Sequence, residues 1–468
     1  MKNPTLPADG PGHDTFSHRL LASLLFLAPA IATWKVGGGY LTFVLFFVIL
    51  QVPIAVAFWF VASRISPPVC EKVRTPGRPV EEYLEFRNER DRKKYWGRHK
   101  IPMERFAEMY VGGEVEVQGD LLEVLEVRYD WACWKFTWGF FRVVVFGVGR
   151  MIMRRFSSGV KEGHVKKETE LGSEFYSWFL GPRLLYGSGV VSDLEVEEPL
   201  KELQDNKVAV VCEKIGLRPG DRMLDLGCGW GALATFASVN YAAEVTGTTY
   251  DQAQADLGNW RLREAGVPEN QSRIRVVGSE VTGERYDKIT CLRTGEQLSG
   301  QRMGRFFERC YEMLEDDGVM FVEVSGLRMA WQYEDLVWGL FLAKYIPGVG
   351  DMLPLPVYVG ALEAAGFEVQ SIDNVGYHYS ATVWRWYKNW VGNAGEVKAK
   401  YGERIYRIWE YFLATATIMA RQGTMANYQI TLVKNLNGVS RVGMQGTRLS
   451  VDEALGRSRA AEKAVFPV

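Results

Sequence analysis

Cysteine is scarce in this chain, with six in 468 residues, at positions 70, 133, 212, 228, 291 and 310. No two of them form a CxxC pair, and the five histidines make no partner segment, so neither a disulfide framework nor a zinc site is expected, and the metal complement is read as none. The folded part is expected in a reducing compartment. Net charge is also scarce: 55 Lys and Arg against 56 Asp and Glu leave −1, which excludes the global basic field of a nucleic-acid binder. What is abundant is apolar matter. A hydrophobic share of 47%, with 13% aromatics, is far from the composition of a disordered chain and suits one large domain with appendages.

Two uncharged runs open the chain, at 20–34 and 40–63, separated by Lys35 and a glycine triplet. The second is long enough to span, since about 20 apolar residues cross a hydrocarbon core of about 30 Å. The first is shorter and holds Pro29, and a secretory signal peptide is its rival reading. An immediately following span favours a transmembrane hairpin over 18–63, after an N-terminal tail at 1–17. Arg64, Lys72, Arg74 and Arg78 follow the hairpin, Lys2 and Arg19 precede it, and the connector holds only Lys35, so both ends face the cytosol by the positive-inside rule. A juxtamembrane region at 64–164 comes next. Within it Trp131, Trp134, Trp138, Phe140 and Phe141 stand beside Lys135, Arg142, Arg150, Arg154 and Arg155, the mixture of a segment lying in the headgroup interface; a buried accessory layer is the competing account.

Further on, MLDLGCGWGALATFA carries an apolar strand at 223–226 into Gly227, Gly229 and Gly231, then a helix from about Ala232. Glycines suit a tight turn with close backbone approach, and the helix start offers free N–H groups to a ligand. The string also fits a dinucleotide fingerprint, but an NAD site wants an acid at the end of the second strand. Here that strand ends in Thr248 and Thr249, whereas Asp225 sits in the first strand two residues before the first glycine. Acid followed by alternating glycines is the pattern of class I S-adenosylmethionine methyltransferases. Strands at 274–277, 288–292, 319–324, 368–372 and 428–433 bring the count to seven, giving an α/β, Rossmann-like seven-stranded sheet behind a two-helix membrane anchor. The last strand follows a long helical stretch and is expected to enter antiparallel.

FYSWFLGPRLLYGSGVVSD at 175–193, LDLGCGWG at 224–231, WQYEDLVWGLFLAKYI at 331–346, HYSATVWRWYKNW at 378–390 and RIWEYFLA at 407–414 resemble the fungal sphingolipid C9-methyltransferases, grouped with the cyclopropane fatty acid synthases. The resemblance covers most of the chain. It implies methyl transfer from S-adenosylmethionine to C9 of the sphingoid base of ceramide or glucosylceramide, at the endoplasmic reticulum membrane, by a domain at 165–436 facing the cytosol. Such chemistry must hold a weakly nucleophilic alkene against the donor, exclude water, stabilise a carbocation and remove a proton.

Carried over, the resemblance assigns Asp225, Gly227, Gly229 and Gly231 to the cofactor's methionine side and Thr249 and Gln254 to its ribose. Glu296 falls where the synthases hold a bicarbonate base, Tyr379 falls on their site tyrosine, Ser188 replaces their cysteine and Glu323 their histidine. Bicarbonate between two carboxylates would be repelled, so Glu296 or Glu323 is expected to act directly as base, its pKa raised by burial beside a like charge. Residues 168–170, 278–280 and 293–297 depart from the family pattern, which motivates the alternative of an inactive paralogue acting as partner or regulator of an active enzyme. A phospholipid cyclopropane synthase is a weaker rival, against which Ser188 and Glu323 speak. The aromatic repeat Trp331, Tyr333, Trp338, Phe341 and Tyr345 reads either as a core helix or as a lipid-facing lid, and 437–468 reads as a tail without apolar periodicity.

Overall fold

The computed structural model describes residues 17–65, 76–134, 137, 172, 174–276, 283–292, 301–329, 332–346, 352–437 and 448–461. They divide between two units, one drawn from Lys161–Arg328 and Pro347–Val468, the other from Ala8–Val160 and Met329–Ile346.

The first unit is built on seven strands: β1 (Arg222–Leu226), β2 (Glu244–Thr249), β3 (Arg273–Val276), β4 (Tyr286–Leu292), β5 (Leu314–Leu327), β6 (Phe367–Asn374) and β7 (Met425–Lys434). Their order across the sheet is β6-β7-β5-β4-β1-β2-β3. β7 runs antiparallel to both β5 and β6, as expected, while the pairs β1–β2, β2–β3, β1–β4 and β4–β5 are parallel. Burial on both faces explains why β5 reads VMFVEV, apolar but for Glu323. Met320, Val322 and Val324 join Leu224, Leu226, Ile430 and Leu432 on one face, in a core with residues of helices Gln301–Met313 and Leu355–Ala364. On the other, Met223, Phe321 and Val433 share a core with helices Leu200–Lys214 and Ala232–Tyr241. That second face turns polar toward the carboxyl ends of β1, β4 and β5.

The C-terminal segment is not a plain tail. Val451–Ala460 is a helix whose Ser450 and Glu453 form a reciprocal capping box, and its residues 451, 454, 455 and 458 are buried. Leu449, Val451, Ala454 and Leu455 share a cluster with Val190, Val210 and Val375, and burying each aliphatic side chain of this size contributes about 1.5–3 kcal/mol, enough to dock the segment. The first unit thus includes a helix beyond the expected boundary at 436.

In the second unit, helices His18–Lys35 and Tyr40–Ile65 pack together through Phe26 and Phe47, whose rings are 5.2 Å apart, and through Gln51 Nε2, which donates to Leu25 O at 3.1 Å. Among the described residues one helical stretch, Tyr40–Ala62, is long and apolar enough to cross a membrane. Trp131 and Trp134 correct the interfacial reading of their segment. Both are buried, Trp131 against Phe106 at 4.5 Å with its Nε1 donating to Val124 O, and Trp134 against Tyr129 at 4.4 Å. A small accessory core claims them; beyond Trp134, only Thr137 of that segment lies among the described residues.

Helix Tyr333–Tyr345 belongs to this same unit, with Val337, Trp338, Phe341 and Leu342 buried. Its Glu334 receives a two-point clasp from the buried Arg128 guanidinium, Nη2 lying 3.1 Å from Oε2 and Nε bonding Oε1. Against burial, which lowers it, Glu334 holds the Arg128 pKa above its ordinary value. For Trp338 and Phe341 the core-helix account is thus the one realised, and their helix lies outside the unit that carries the sheet.

Candidate functional site

The strand-to-helix turn after β1 holds three glycines in the left-handed region, Gly227 (φ 72°), Gly229 (φ 54°) and Gly231 (φ 77°). They do different work. A Cβ on Gly229 would meet nothing within 4 Å, so that side of the turn is open. A Cβ on Gly231 would lie 2.5 Å from Ile274 Cδ1 and 3.0 Å from Gly258 Cα, so this glycine serves close packing of the turn on β3 and helix Gln252–Glu264.

Asp225 is buried at the carboxyl end of β1, where Thr290 Oγ1 of β4 donates to its Oδ1 at 2.8 Å. Burial raises its pKa to about 7, against the lowering effects of the Thr290 hydrogen bond and the Lys207 charge. Thr249 is buried at the end of β2, its Oγ1 donating to Gln254 Oε1 at 2.6 Å and accepting from Asp251 N at 3.3 Å. Asp251 in turn caps helix Gln252–Glu264 through Gln254 N, so the two expected ribose residues are joined by one capped turn.

Glu323 is wholly buried on β5, beside Leu292 at the end of β4. Its Oε1 accepts from Lys207 Nζ at 2.7 Å and from Ser188 N at 3.3 Å, and its Oε2 accepts from Gln429 Nε2 at 3.2 Å. Among the described residues, the charge paired with Glu323 is the opposite one of Lys207. Glu296 lies outside the described residues, as do 168–170, 278–280 and 293–297. Ser188 is buried, its Oγ donating to Gly189 O at 2.8 Å. Tyr379 is buried on helix Gly376–Gly392, its ring 6.2 Å from that of Trp386. Neighbouring His378 accepts from Val191 N through Nδ1 at 3.1 Å, and burial lowers its pKa to about 4, which makes it a structural acceptor at neutral pH.

The fold also assembles groups that no single motif announces. Phe175, Phe179, Tyr186, Trp386, Trp390 and Trp409 come from three separate sequence runs into one aromatic cluster, with Phe175–Trp409 at 4.9 Å, Phe179–Trp386 at 5.8 Å and Tyr186 stacked on Trp386 at 5.2 Å. Tyr176 connects this cluster to Trp230 of the glycine turn at 5.9 Å. Arg261 fastens the same two regions, donating to the carbonyls of Pro182 and Arg183 and, at 3.1 Å, to that of Trp230. Lys207 did carry a signal. In helix Leu200–Lys214, positions 200, 203, 207, 211 and 214 fall on one stripe, and a lysine on a buried helical stripe implies a buried acid opposite.

The pattern of the family described as mycolic acid cyclopropane synthetase matches residues 157–430. The sphingolipid C9-methyltransferase B of Emericella nidulans is 51% identical over 100% of this chain and 92% of its own length, and the sphingolipid C9-methyltransferase 1 of Gibberella zeae is 48% identical over 100% and 91%. Among solved structures, mycolic acid cyclopropane synthase CmaA1 complexed with SAH and CTAB aligns with a TM-score of 0.53 at 26% identity, covering 58% of this chain and 98% of that one. The cyclopropane synthase MmaA2 from Mycobacterium tuberculosis aligns equally well, with a TM-score of 0.53 at 25% identity over 57% and 95%. With the family pattern matched over residues 157–430 and relatives about half identical along the whole chain, the chain belongs to the mycolic acid cyclopropane synthetase family, alongside the fungal sphingolipid C9-methyltransferases.

Proposed function

We propose that this protein transfers a methyl group from S-adenosylmethionine to C9 of the sphingoid base of ceramide or glucosylceramide. Identity of 45–51% along 95–100% of the chain to relatives named for that reaction carries the reading. No described residue favours the alternative of an inactive partner protein.

The turn after β1 fits the donor, being open beside Gly229 with a buried acid at its base. Asp225, Gly227 and Gly229 hold the methionine portion, Gly231 keeps the turn packed, and Thr249 and Gln254 lie at the ribose. When bound, S-adenosylmethionine supplies an electrophilic methyl group. The aromatic cluster keeps water from the reacting alkene and offers ring faces to positive charge developing on the lipid. Tyr379 orients the lipid within this wall, and Glu296 takes the departing proton. The two N-terminal helices both cross the endoplasmic reticulum membrane and leave the catalytic unit on the cytosolic side, where an apolar substrate reaches it from the bilayer.

Expression in a host lacking C9-methylated sphingolipids, followed by lipid mass spectrometry, tests the reaction. A C9-methylated base should accumulate; its absence while the chain is present in the membrane fraction overturns the reading.

Asp225 makes cofactor binding pH-dependent. Its neutral form suits the buried, unliganded site, so its contribution to apo-protein stability is full below the ordinary carboxylate value of 3.8 and is lost as pH rises through about 7. The donor's cationic amino group favours the ionised form instead. Affinity should therefore fall as pH drops below about 7, with a proton released on binding, and Asp225→Asn should weaken binding and flatten the profile. Calorimetric titrations in buffers of different ionisation enthalpy report both; a wild-type affinity constant from pH 6 to 8 contradicts the assignment.

A further inference from the structure

Lys207 and Glu323 are each wholly buried and joined at 2.7 Å, yet the reaction as described uses neither for proton transfer. A buried ion pair is seldom retained for stability, since apolar residues of similar volume often do as well. Its placement suggests another use. Asp225 is in register with Thr290 of β4, and Thr290 with Phe321 of β5, two residues before Glu323. Side chains alternate along a strand, so Asp225 and Glu323 project from the same face, roughly 12 Å apart for strands about 4.8 Å apart rising about 3.3 Å per residue. Helix Leu200–Lys214 covers that face and brings a single ammonium to both acids: Lys207 bonds Glu323 directly and exerts its charge on Asp225.

Three of the about four lone-pair sites of the Glu323 carboxylate are already engaged, by Lys207, Ser188 N and Gln429. We propose that Lys207 is a positioning residue of the methyltransferase: it commits Glu323 to an ion pair, taking that carboxylate out of proton transfer, and keeps Asp225 available as an anion for the methyl donor. Rather than holding a catalytic base, the layer beneath the site holds a charge balance, two acids sharing one base. Lys214, also buried, cannot substitute because Asp373 of β6 engages it at 2.7 Å.

This inference rests on the proposed function but is tested by donor binding as well as by turnover. In the full-length protein in detergent, Lys207→Met should move the pH midpoint of S-adenosylmethionine affinity upward by about one unit, roughly a five- to tenfold loss at pH 7. The pH profile of kcat should change with it, and Lys207→Arg should restore both wild-type profiles. Glu323→Gln should lower kcat without removing the ionisation that reports the proton acceptor. Should Lys207→Met alone fail to fold, the uncharged pair Lys207→Met/Glu323→Gln leaves no buried charge stranded, and the upward midpoint should persist in it. A midpoint and kcat profile unchanged in Lys207→Met, or a midpoint still near that of the wild type in the double variant, overturns the proposal. Loss of the C9 product in the wild type would instead defeat the proposed reaction, leaving the binding measurements to stand on their own.

Discussion

Gly231→Val is expected to destabilise the catalytic unit by about 2–5 kcal/mol, the sum of about 1–2 for a left-handed residue with a Cβ and about 1–3 for overpacking. The φ of 77° supplies the first part, and the 2.5 Å approach to Ile274 Cδ1 with Gly258 Cα at 3.0 Å supplies the second. Ile274 can rotate away; the Gly258 backbone cannot. Gly229→Ala is the informative companion, since its Cβ enters open space and only the backbone cost, about 1–2 kcal/mol, remains. Thermal unfolding of the two variants should separate them widely, while S-adenosylmethionine titration should show Gly229→Ala to be weakened despite its better stability. Equal melting temperatures would mean that the two glycines do not divide their duties in this way.

Glu296→Gln is expected to lower turnover about 10²- to 10⁴-fold, the range for loss of a positioned general base, with S-adenosylmethionine affinity nearly unchanged. The resemblance offered two carboxylates for proton removal, and the ion pair with Lys207 occupies one of them. Single-turnover assays with membrane-presented substrate would isolate the chemical step. Undiminished turnover removes Glu296 from the mechanism, and a parallel loss of donor affinity would move it to the cofactor's side of the site.

The sheet was legible because its central strands are buried on both faces and bounded by glycine and charge: VMFVEV, apolar but for Glu323, suits the middle of such a sheet. The acid-and-glycine turn was legible for a similar reason, since backbone sterics demand its residue types. The polar layer on the same sheet was harder to see, as Lys207 and Gln429 come from segments more than 200 residues apart, and a lysine on a helix ordinarily reads as solvated. The C-terminal helix is faint in the sequence: Ser450 and Glu453 spell a capping box and 451, 454, 455 and 458 keep helical spacing, but three modest apolar side chains and a serine stand out little beside the glycines and arginines around them. Trp131 and Trp134 misled because aromatics beside cations suit a bilayer surface and a small core equally, and only the partners Phe106 and Tyr129 decide between them.

Arg128 and Glu334 are 206 residues apart, and this imposes an order on synthesis. At 5–20 residues per second the ribosome needs roughly 10–40 s after making Arg128 before it delivers the carboxylate that completes the clasp. Throughout that interval the guanidinium lacks its eventual counter-charge, so the nascent accessory core cannot close in its final form. It must wait while most of the nucleotide-type sheet is being translated.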